Sequence, residues 1–151
     1  MNTKQIAILA LLPLTLSAAP AQGPATDDAK LLQGVWLPMP VKSQFGGKAF
    51  APTTIATMKL TVTDENYEFV EGPTVDDGQV ILRPNLRPKE MDIVGVKGPN
   101  AGKTIPAIYR FEHGRLTVCY GIDGHRPKEF RSPKKSMVLL AVFKRDTSSK
   151  Q

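Results

Sequence analysis

Cysteine, histidine and tryptophan are almost missing from this chain of 151 residues. The single cysteine, Cys119, excludes a disulfide within the chain, so packing has to supply the stability. Cys119 lies in the strand-like stretch "RLTVCYGI", which favours a buried, unreactive thiol over a disulfide between two chains. The two histidines, His113 and His125, have no set of ligand residues at metal-binding spacing around them, so no metal site is predicted.

Motifs for catalysis and cofactor binding are missing as well. The chain has no nucleophile elbow, no paired-carboxylate pattern and no dinucleotide-binding glycine motif. The segment "GPNAGKT" at residues 98–104 looks like a phosphate-binding loop, but only three residues separate Gly98 from Gly102, where the motif has four. The strand-like "IPAIYRF" also follows it where a helix is required. We therefore expect a hairpin loop there, no cofactor and no enzymatic activity.

The N-terminal residues have the pattern of a secretory signal peptide over residues 1–21. Lys4 precedes the apolar run 6–16, which is too short to span a bilayer, a span of ~20 residues. Ala19 and Ala21 fit the A-x-A rule, so we expect cleavage after Ala21 and export to the periplasm or the medium. A membrane anchor or a buried helix is the alternative. Loss of Lys4 lowers the formal net charge from +6 to +5, and nothing in the remaining chain predicts a transmembrane segment.

From Gly34 onward, apolar and polar residues alternate with the period of two that is typical of strands. Turn-forming residues separate these runs at 64–66, Asp77-Gly78, His113-Gly114 and Asp123-Gly124. The pattern predicts an all-β fold over residues 31–146, with about eight antiparallel strands in an up-and-down barrel, and with a β-sandwich as the alternative.

The two ends of the mature chain are predicted to lie outside this barrel. Residues 22–30 are predicted as a flexible lead-in, with one helical turn that begins at Thr26 or Asp27. Residues 147–151 are predicted as a disordered tail.

Five stretches occur in the same order in a known family. They are "LLQGVW" (31–36), "KLTVTDENYEF" (59–69), "GPNAGKTIPAIYRFEHGRLTVCY" (98–120), "RPKEF" (126–130) and "VLLAVFKR" (138–145). Through them the chain resembles the small exported domains, of uncharacterised function, that occur in many copies in planctomycete bacteria. The resemblance covers nearly all of the mature chain. It implies export and a lipocalin-like (calycin-like) barrel, with no established activity.

The resemblance also implies a structural signature. In lipocalin-like barrels, a G-x-W motif places its Trp at the closed end, where a basic residue of the last strand stacks over the ring. The matching residues are Gly34, Trp36 and either Arg145 or Lys144. The alternative is an ordinary core Trp and a solvated Arg. The chain departs from lipocalins in its shorter length, its lack of a disulfide and its lack of a long helix before the last strand.

The strand pattern places a set of apolar side chains toward the barrel interior. The possible ligand-lining residues are Leu60, Phe69, Tyr109, Phe111, Tyr120 and Phe143, with Met58 and Leu139 as further inward residues. They would line a site for a small apolar ligand, or they would fill the interior, since eight strands leave room only for side chains or one small ligand.

Charge is unevenly distributed along the chain. Residues 64–77 hold six acidic residues and no basic one, whereas residues 126–135 hold five basic residues and one acid. The basic ones, a possible patch for an anionic partner, are Arg126, Lys128, Arg131, Lys134 and Lys135. This patch supports a second hypothesis: a filled barrel that acts through its outer surface as a protein-interaction, inhibitor or cell-envelope-associated module. A solvated loop is the alternative, and nucleic acid is disfavoured because no aromatic residues are interleaved with the basic ones.

Overall fold

The computed structural model describes residues 25–148 of the chain. The predicted signal peptide over residues 1–21 lies outside the described residues, as do residues 149–151 of the predicted tail. The described residues form, in chain order, α1 (Ala25–Leu32), β1 (Gly34–Pro38), a 3-10 turn (Pro40–Lys42), β2 (Gln44–Phe45), β3 (Lys48–Ala49), α2 (Pro52–Ile55), β4 (Met58–Thr63), β5 (Asn66–Glu71), β6 (Thr74–Arg83), β7 (Lys89–Lys97), β8 (Thr104–Glu112), β9 (Arg115–Gly121) and β10 (Val138–Arg145).

Eight of these strands form one closed antiparallel barrel. Their order around the barrel is β1-β4-β5-β6-β7-β8-β9-β10, and β10 pairs back with β1. The small β2–β3 hairpin pairs with Leu139 and Leu140 of β10, a part of this strand that does not pair with β1. Because a closed ladder leaves no free edge, the fold is a barrel and not a sandwich. The predicted all-β, lipocalin-like barrel of about eight strands is confirmed.

The strand directions give the barrel two different ends. At one end, which we call the helix end, lie α1 and the connections at residues 64–65, 84–88 and 113–114. At the other, which we call the loop end, lie the connections at residues 39–57, 72–73, 98–103 and 122–137. The longer connections are therefore concentrated at the loop end.

Alternating side chains on the barrel strands point inward and form the core. The buried cluster consists of Leu32, Trp36, Leu60, Val62, Tyr67, Val80, Met91, Ile93, Ile105, Ala107, Tyr109, Leu116, Val118, Ala141 and Phe143. On β8 and β9 three outward side chains, those of Ile108, Thr117 and Cys119, are buried too. Ile108 and Cys119 are directly opposite one another on the outer face and have no exposed surface. A segment outside the barrel must therefore cover this face.

The predicted turn at Asp77-Gly78 is wrong. The chain turns earlier, at Gly72 and Pro73, and Asp77-Gly78 lies inside β6 at an irregularity in its pairing with β7. A Cβ atom at Gly78 would lie 2.0 Å from the carbonyl oxygen of Val94, so the glycine is required by the close approach of two strands and not by a turn.

The "GPNAGKT" segment is a hairpin loop between β7 and β8, as predicted. The Gly95 amide donates to Lys103 O at 2.9 Å, and the Gly102 amide donates to Gly95 O at 3.0 Å. Gly98 has a positive φ of 86°, and a Cβ atom there would lie 2.3 Å from Val75 O. Since strand β8 begins at Thr104, this loop leads into a strand and not into a helix, and a phosphate-binding loop is excluded.

Helix α1 is longer than the single helical turn that the sequence predicts. It begins at Ala25, within the predicted flexible lead-in, and runs for eight residues. Asp28 and Leu32, four residues apart and so on one face of the helix, are both buried. The helix therefore packs against the barrel through these two side chains.

Candidate functional site

Trp36 closes the helix end of the barrel. Strand pairing places Trp36 directly opposite Arg145, so the two side chains share one face of the sheet. The Arg145 guanidinium carbon lies 4.2 Å from the centroid of the indole ring, and the indole Nε1 donates to Leu32 O at 2.8 Å. Trp36 is only 1% exposed, whereas Lys144, the other basic candidate, is exposed on the outer face.

Arg145 also binds the C-terminal end of α1. Its Nη2 donates to Leu31 O at 2.5 Å, and its Nη1 donates to Gln33 O. These carbonyl groups lack partners within the helix, so a cation there satisfies them and complements the helix dipole. Gly34, which follows at once, has a φ of 107°, and a Cβ atom at this position would lie 3.0 Å from Arg145 Nη1. The glycine of the G-x-W motif thus leaves room for the Arg145 side chain to approach the backbone closely.

A buried polar cluster supports the same end. The Asp28 carboxylate accepts from Tyr109 Oη at 2.7 Å and from Lys89 Nζ at 2.7 and 2.9 Å. Burial, and then the hydrogen bond to Asp28, raise the pKa of the Tyr109 phenol, which therefore remains a donor. Phe111 packs between the rings of Trp36 and Tyr109, at centroid distances of 6.1 and 5.9 Å. Trp36, Phe111 and Tyr109 therefore form a packed group of aromatic rings at the helix end.

The interior beside these rings holds a cavity of about 210 Å³, whose lining extends from Leu32 of α1 to Glu71 and Ile122 at the loop end. Four of the six predicted ligand-lining residues line it, namely Leu60, Phe69, Tyr120 and Phe143, and so do Met58 and Leu139. Tyr109 and Phe111 do not line the cavity, because they pack with Trp36 at the helix end. This part of the prediction is corrected: strand periodicity gives the inward face but not the height of a residue along the barrel axis.

The cavity reaches the surface at the loop end. Glu71 and Ile122 line it there and are both exposed. Phe50 and Ile55, from the connection at residues 39–57, also form part of its lining. The sequence analysis missed these two residues, because they lie outside the alternating strands and no local pattern points them inward.

One acidic group faces the cavity from its wall. Asp76 is 6% exposed and accepts three hydrogen bonds, from Tyr67 Oη at 2.9 Å, Asn100 N at 2.9 Å and Asn100 Nδ2 at 2.8 Å. All three residues line the cavity. Asp76 was missed because the turn was placed at Asp77-Gly78. Asp76 precedes Val80 and Leu82 by four and six residues, and residues at such even spacings share one face of a strand. This spacing is the signal that would have placed Asp76 on the inward face of β6.

The connection at residues 122–137, which we call the strap, leaves the loop end and lies against the outer face of the barrel. The Cys119 Sγ contacts Arg131 O at 3.4 Å, and the Arg110 guanidinium lies 4.4 Å over the Phe130 ring. The amide of Gly47 donates to Ser132 Oγ at 3.0 Å, which joins the strap to the β2–β3 hairpin. The strap is therefore a packed part of the fold.

Arg126 does not belong to the predicted basic patch. It lies against the outer face of the barrel, donates to Ala107 O at 2.6 Å and Met91 O at 2.9 Å, and pairs with Asp92 at 2.5 Å and Glu90 at 3.1 Å. Hydrogen bonds from Arg83, and then from Arg126, hold the pKa of Asp92 below its usual value, despite the opposing effect of burial. Arg126 anchors the strap, and its charge is matched by carboxylates.

The rest of the patch remains on the surface. Lys128, Arg131, Lys134 and Lys135 are exposed, and Arg131 pairs with Glu129 at 2.5 Å. No ion pair is formed by Lys128, Lys134 or Lys135 with the part of the chain that the structure describes. Three lysines therefore present unmatched positive charge along the strap.

Cys119 is free and buried, and burial raises the pKa of its thiol to about 11. Such a thiol is almost entirely protonated at neutral pH and is a poor nucleophile. Within residues 25–148, no three His, Cys, Asp or Glu side chains come together in a way that could hold a metal ion. None of the helices in the same range is long and apolar enough to cross a membrane.

Comparison with protein-family models, with curated proteins and with solved structures finds no match to this chain.

Proposed function

We propose that this chain is an exported, non-enzymatic lipocalin-like barrel that binds a small apolar ligand in the cavity at its loop end. The observation that carries the proposal is the interior cavity of about 210 Å³, which lies beside the packed rings of Trp36, Tyr109 and Phe111 and opens at the loop end. Protein interiors are normally packed without voids of this size, because each void forfeits dispersion contacts and destabilises the fold.

The size and the lining of the cavity limit what fits. An apolar cavity of about 150 Å³ stays dry and takes up benzene, so this one suits a ligand of about eight to ten non-hydrogen atoms. Leu60, Val118, Ala141 and Phe143 give it an apolar wall. Removal of the ligand's apolar surface from water would supply the binding free energy.

Export is part of the same proposal and depends on the sequence. The pattern of residues 1–21 and the resemblance to the small exported planctomycete domains support it. A barrel outside the cytoplasm would meet its ligand in the periplasm or the medium.

Native mass spectrometry of gently purified protein, combined with thermal shifts across a panel of small apolar compounds, tests the binding function. We expect a bound mass or a rise in melting temperature with compounds of the stated size. A ligand-free mass and no thermal shift with any compound would contradict the proposal.

A cavity-filling variant locates the site. Ala141 lines the cavity, so Ala141→Leu should reduce binding at least tenfold while the protein stays folded, because the added atoms enter empty space. Val142→Leu is the matched control, since Val142 is the next residue of β10 and faces the outside. Equal binding by the Ala141→Leu variant and the wild type would place the ligand elsewhere.

The alternative function acts through the outer surface, and the three unmatched lysines of the strap favour it. An anionic envelope component or an acidic protein, such as a hydrolase that the barrel inhibits, would bind there. Reversing Lys134 and Lys135 to Glu should weaken retention on envelope material in a salt-dependent way, because exposed charges are screened by salt. Reversal of Lys97 and Lys103, which are also exposed, is the control, and unchanged retention at low salt would count against this function.

A further inference from the structure

The charged groups of the cavity all have one sign. Among its lining residues, the only charged side chains are Asp76 and Glu71, although the chain as a whole carries a formal net charge of +6. Both come from the β5–β6 hairpin, whose residues 64–77 include six acids and no base. Asp76 lies in the wall and Glu71 at the exposed rim.

Asp76 carries its charge without a cationic partner. Within residues 25–148, no Lys, Arg or His nitrogen lies within 4.0 Å of its carboxylate oxygens. The two other buried carboxylates are different, because Asp28 pairs with Lys89 and Asp92 pairs with two arginines. A buried charge is costly unless it is paired as well as hydrogen-bonded. The Asp76 carboxylate therefore lacks the opposite charge that would offset the cost of its burial.

The carboxylate also has room for one more donor. An ionised carboxylate offers about four acceptor positions, and the hydrogen bonds from Tyr67 and Asn100 occupy three of them. Burial, followed by the hydrogen bond to Asp76, raises the pKa of Tyr67, so this phenol stays protonated and continues to donate. The remaining position is on Oδ1, and Asp76 is one of the residues that line the cavity.

We propose that the ligand is a small amphiphile with a protonated amine or a similar cationic head. The hydrocarbon part would lie against Leu60, Val118 and Phe143, and the cationic head would bind the Asp76 carboxylate, with Glu71 attracting it at the rim. This inference depends on the binding function proposed above and adds the chemical class of the ligand.

The competing explanation is purely structural. Both hydrogen bonds from Asn100 hold the loop at residues 98–103 against the barrel rim, so Asp76 would have a role without any ligand. That role predicts no preference among ligands of different charge. A test of charge preference therefore separates the two explanations.

Three probes with one carbon skeleton supply that test: 2-phenylethylamine, 2-phenylethanol and phenylacetate, titrated into the purified protein by calorimetry at pH 7. We expect the amine to bind at least tenfold more tightly than the alcohol, and the carboxylate to bind most weakly, because a hydrogen bond between two charged groups is about twice as strong as a neutral one.

Variants assign the preference to a residue. Asp76→Asn should lower the amine affinity about tenfold and leave the alcohol within about twofold of wild type. Asp77→Asn is the matched control, because it removes the same charge from the adjacent, outward position of β6 and should change neither affinity by more than about twofold. If Asp76→Asn fails to fold, Glu71→Gln at the exposed rim should still lower the amine affinity about two- to threefold.

The outcomes are distinguishable. Tight binding of the alcohol with no advantage for the amine would overturn this inference and leave the apolar-ligand function standing. An amine preference that Asp76→Asn and Glu71→Gln both leave intact would also overturn it. No binding of any probe, together with no thermal shift across the apolar panel, would overturn the binding function itself.

Discussion

The two ends of this barrel differ in the partners of their buried polar groups and in how tightly they are packed. At the helix end, the indole of Trp36 has a hydrogen-bond partner and a stacked guanidinium, and Asp28 has both a cation and a phenol. Beside the packed rings of the helix end, a cavity of about 210 Å³ opens at the loop end, and the Asp76 carboxylate in its wall has only neutral donors. Both ends belong to one continuous sheet, yet the buried carboxylate of the helix end pairs with a cation, whereas Asp76 has none within residues 25–148.

This difference indicates where stability and binding reside. Substitutions are destabilising in a region where polar groups are matched and the packing is tight, because each change leaves a void or an unpaired group. A region with empty space and unmatched charge tolerates substitution and is suited to a ligand. We therefore expect stability to depend on the helix end and binding to depend on the loop end.

The largest effect is expected at Trp36. Trp36→Ala should lower the free energy of unfolding by roughly 3–5 kcal/mol, because it removes a fully buried ring together with its hydrogen bond to Leu32. Urea unfolding followed by circular dichroism measures it. Trp36→Phe is the control and should cost less, since it keeps an aromatic ring. A loss below about 1 kcal/mol for Trp36→Ala would show that the helix end is not the stabilising one.

The Asp28 cluster should rank second. Asp28→Ala leaves the buried hydroxyl of Tyr109 without an acceptor and Lys89 without its partner, so we expect a loss of about 2–3 kcal/mol. Lys89→Met removes only the cation and should cost less, and Lys97→Met, at the exposed end of the same strand, is the control. Unfolding curves monitored by the fluorescence of the sole Trp would report these changes.

Arg145 should have a smaller effect. Arg145→Ala removes the stack over Trp36 and two hydrogen bonds to the end of α1, for an expected loss of about 1–2 kcal/mol. Lys144→Ala, at the adjacent exposed position, should stay within about 0.5 kcal/mol of wild type. If the two variants lose equal stability, the stacked arrangement has no special role, and the tryptophan is an ordinary core residue.

The smallest effect is expected at the rim of the loop end. Ile122→Ala shortens a side chain that is 39% exposed, so the free energy of unfolding should change by less than about 0.5 kcal/mol. The same variant should weaken the binding of an apolar probe, because Ile122 lines the cavity. A stability loss comparable to that of Trp36→Ala would remove the distinction between the two ends.

Much of the fold follows from local patterns, and the exceptions have physical causes. The period of two predicts the strands, because side chains alternate along any strand whatever its partners are. The turn at Asp77-Gly78 was mispredicted because glycine serves a close strand approach as well as it serves a turn. Arg126 was assigned to a surface patch because sequence reports that a residue is charged, but not that carboxylates from β7 lie within its reach.

The sequence by itself determined the antiparallel strands and the exclusion of a disulfide and of a phosphate-binding loop, since each depends on residue type and short-range spacing. The stacked pair of Trp36 and Arg145 was expected from the family resemblance. Only the tertiary structure decided which inward residues fill the barrel and which surround the cavity, and only it brought Asp76, Tyr67 and Asn100 together. The reason is geometric: height along the barrel axis and contacts across it depend on how strands far apart in the chain are aligned, and no local pattern encodes that alignment.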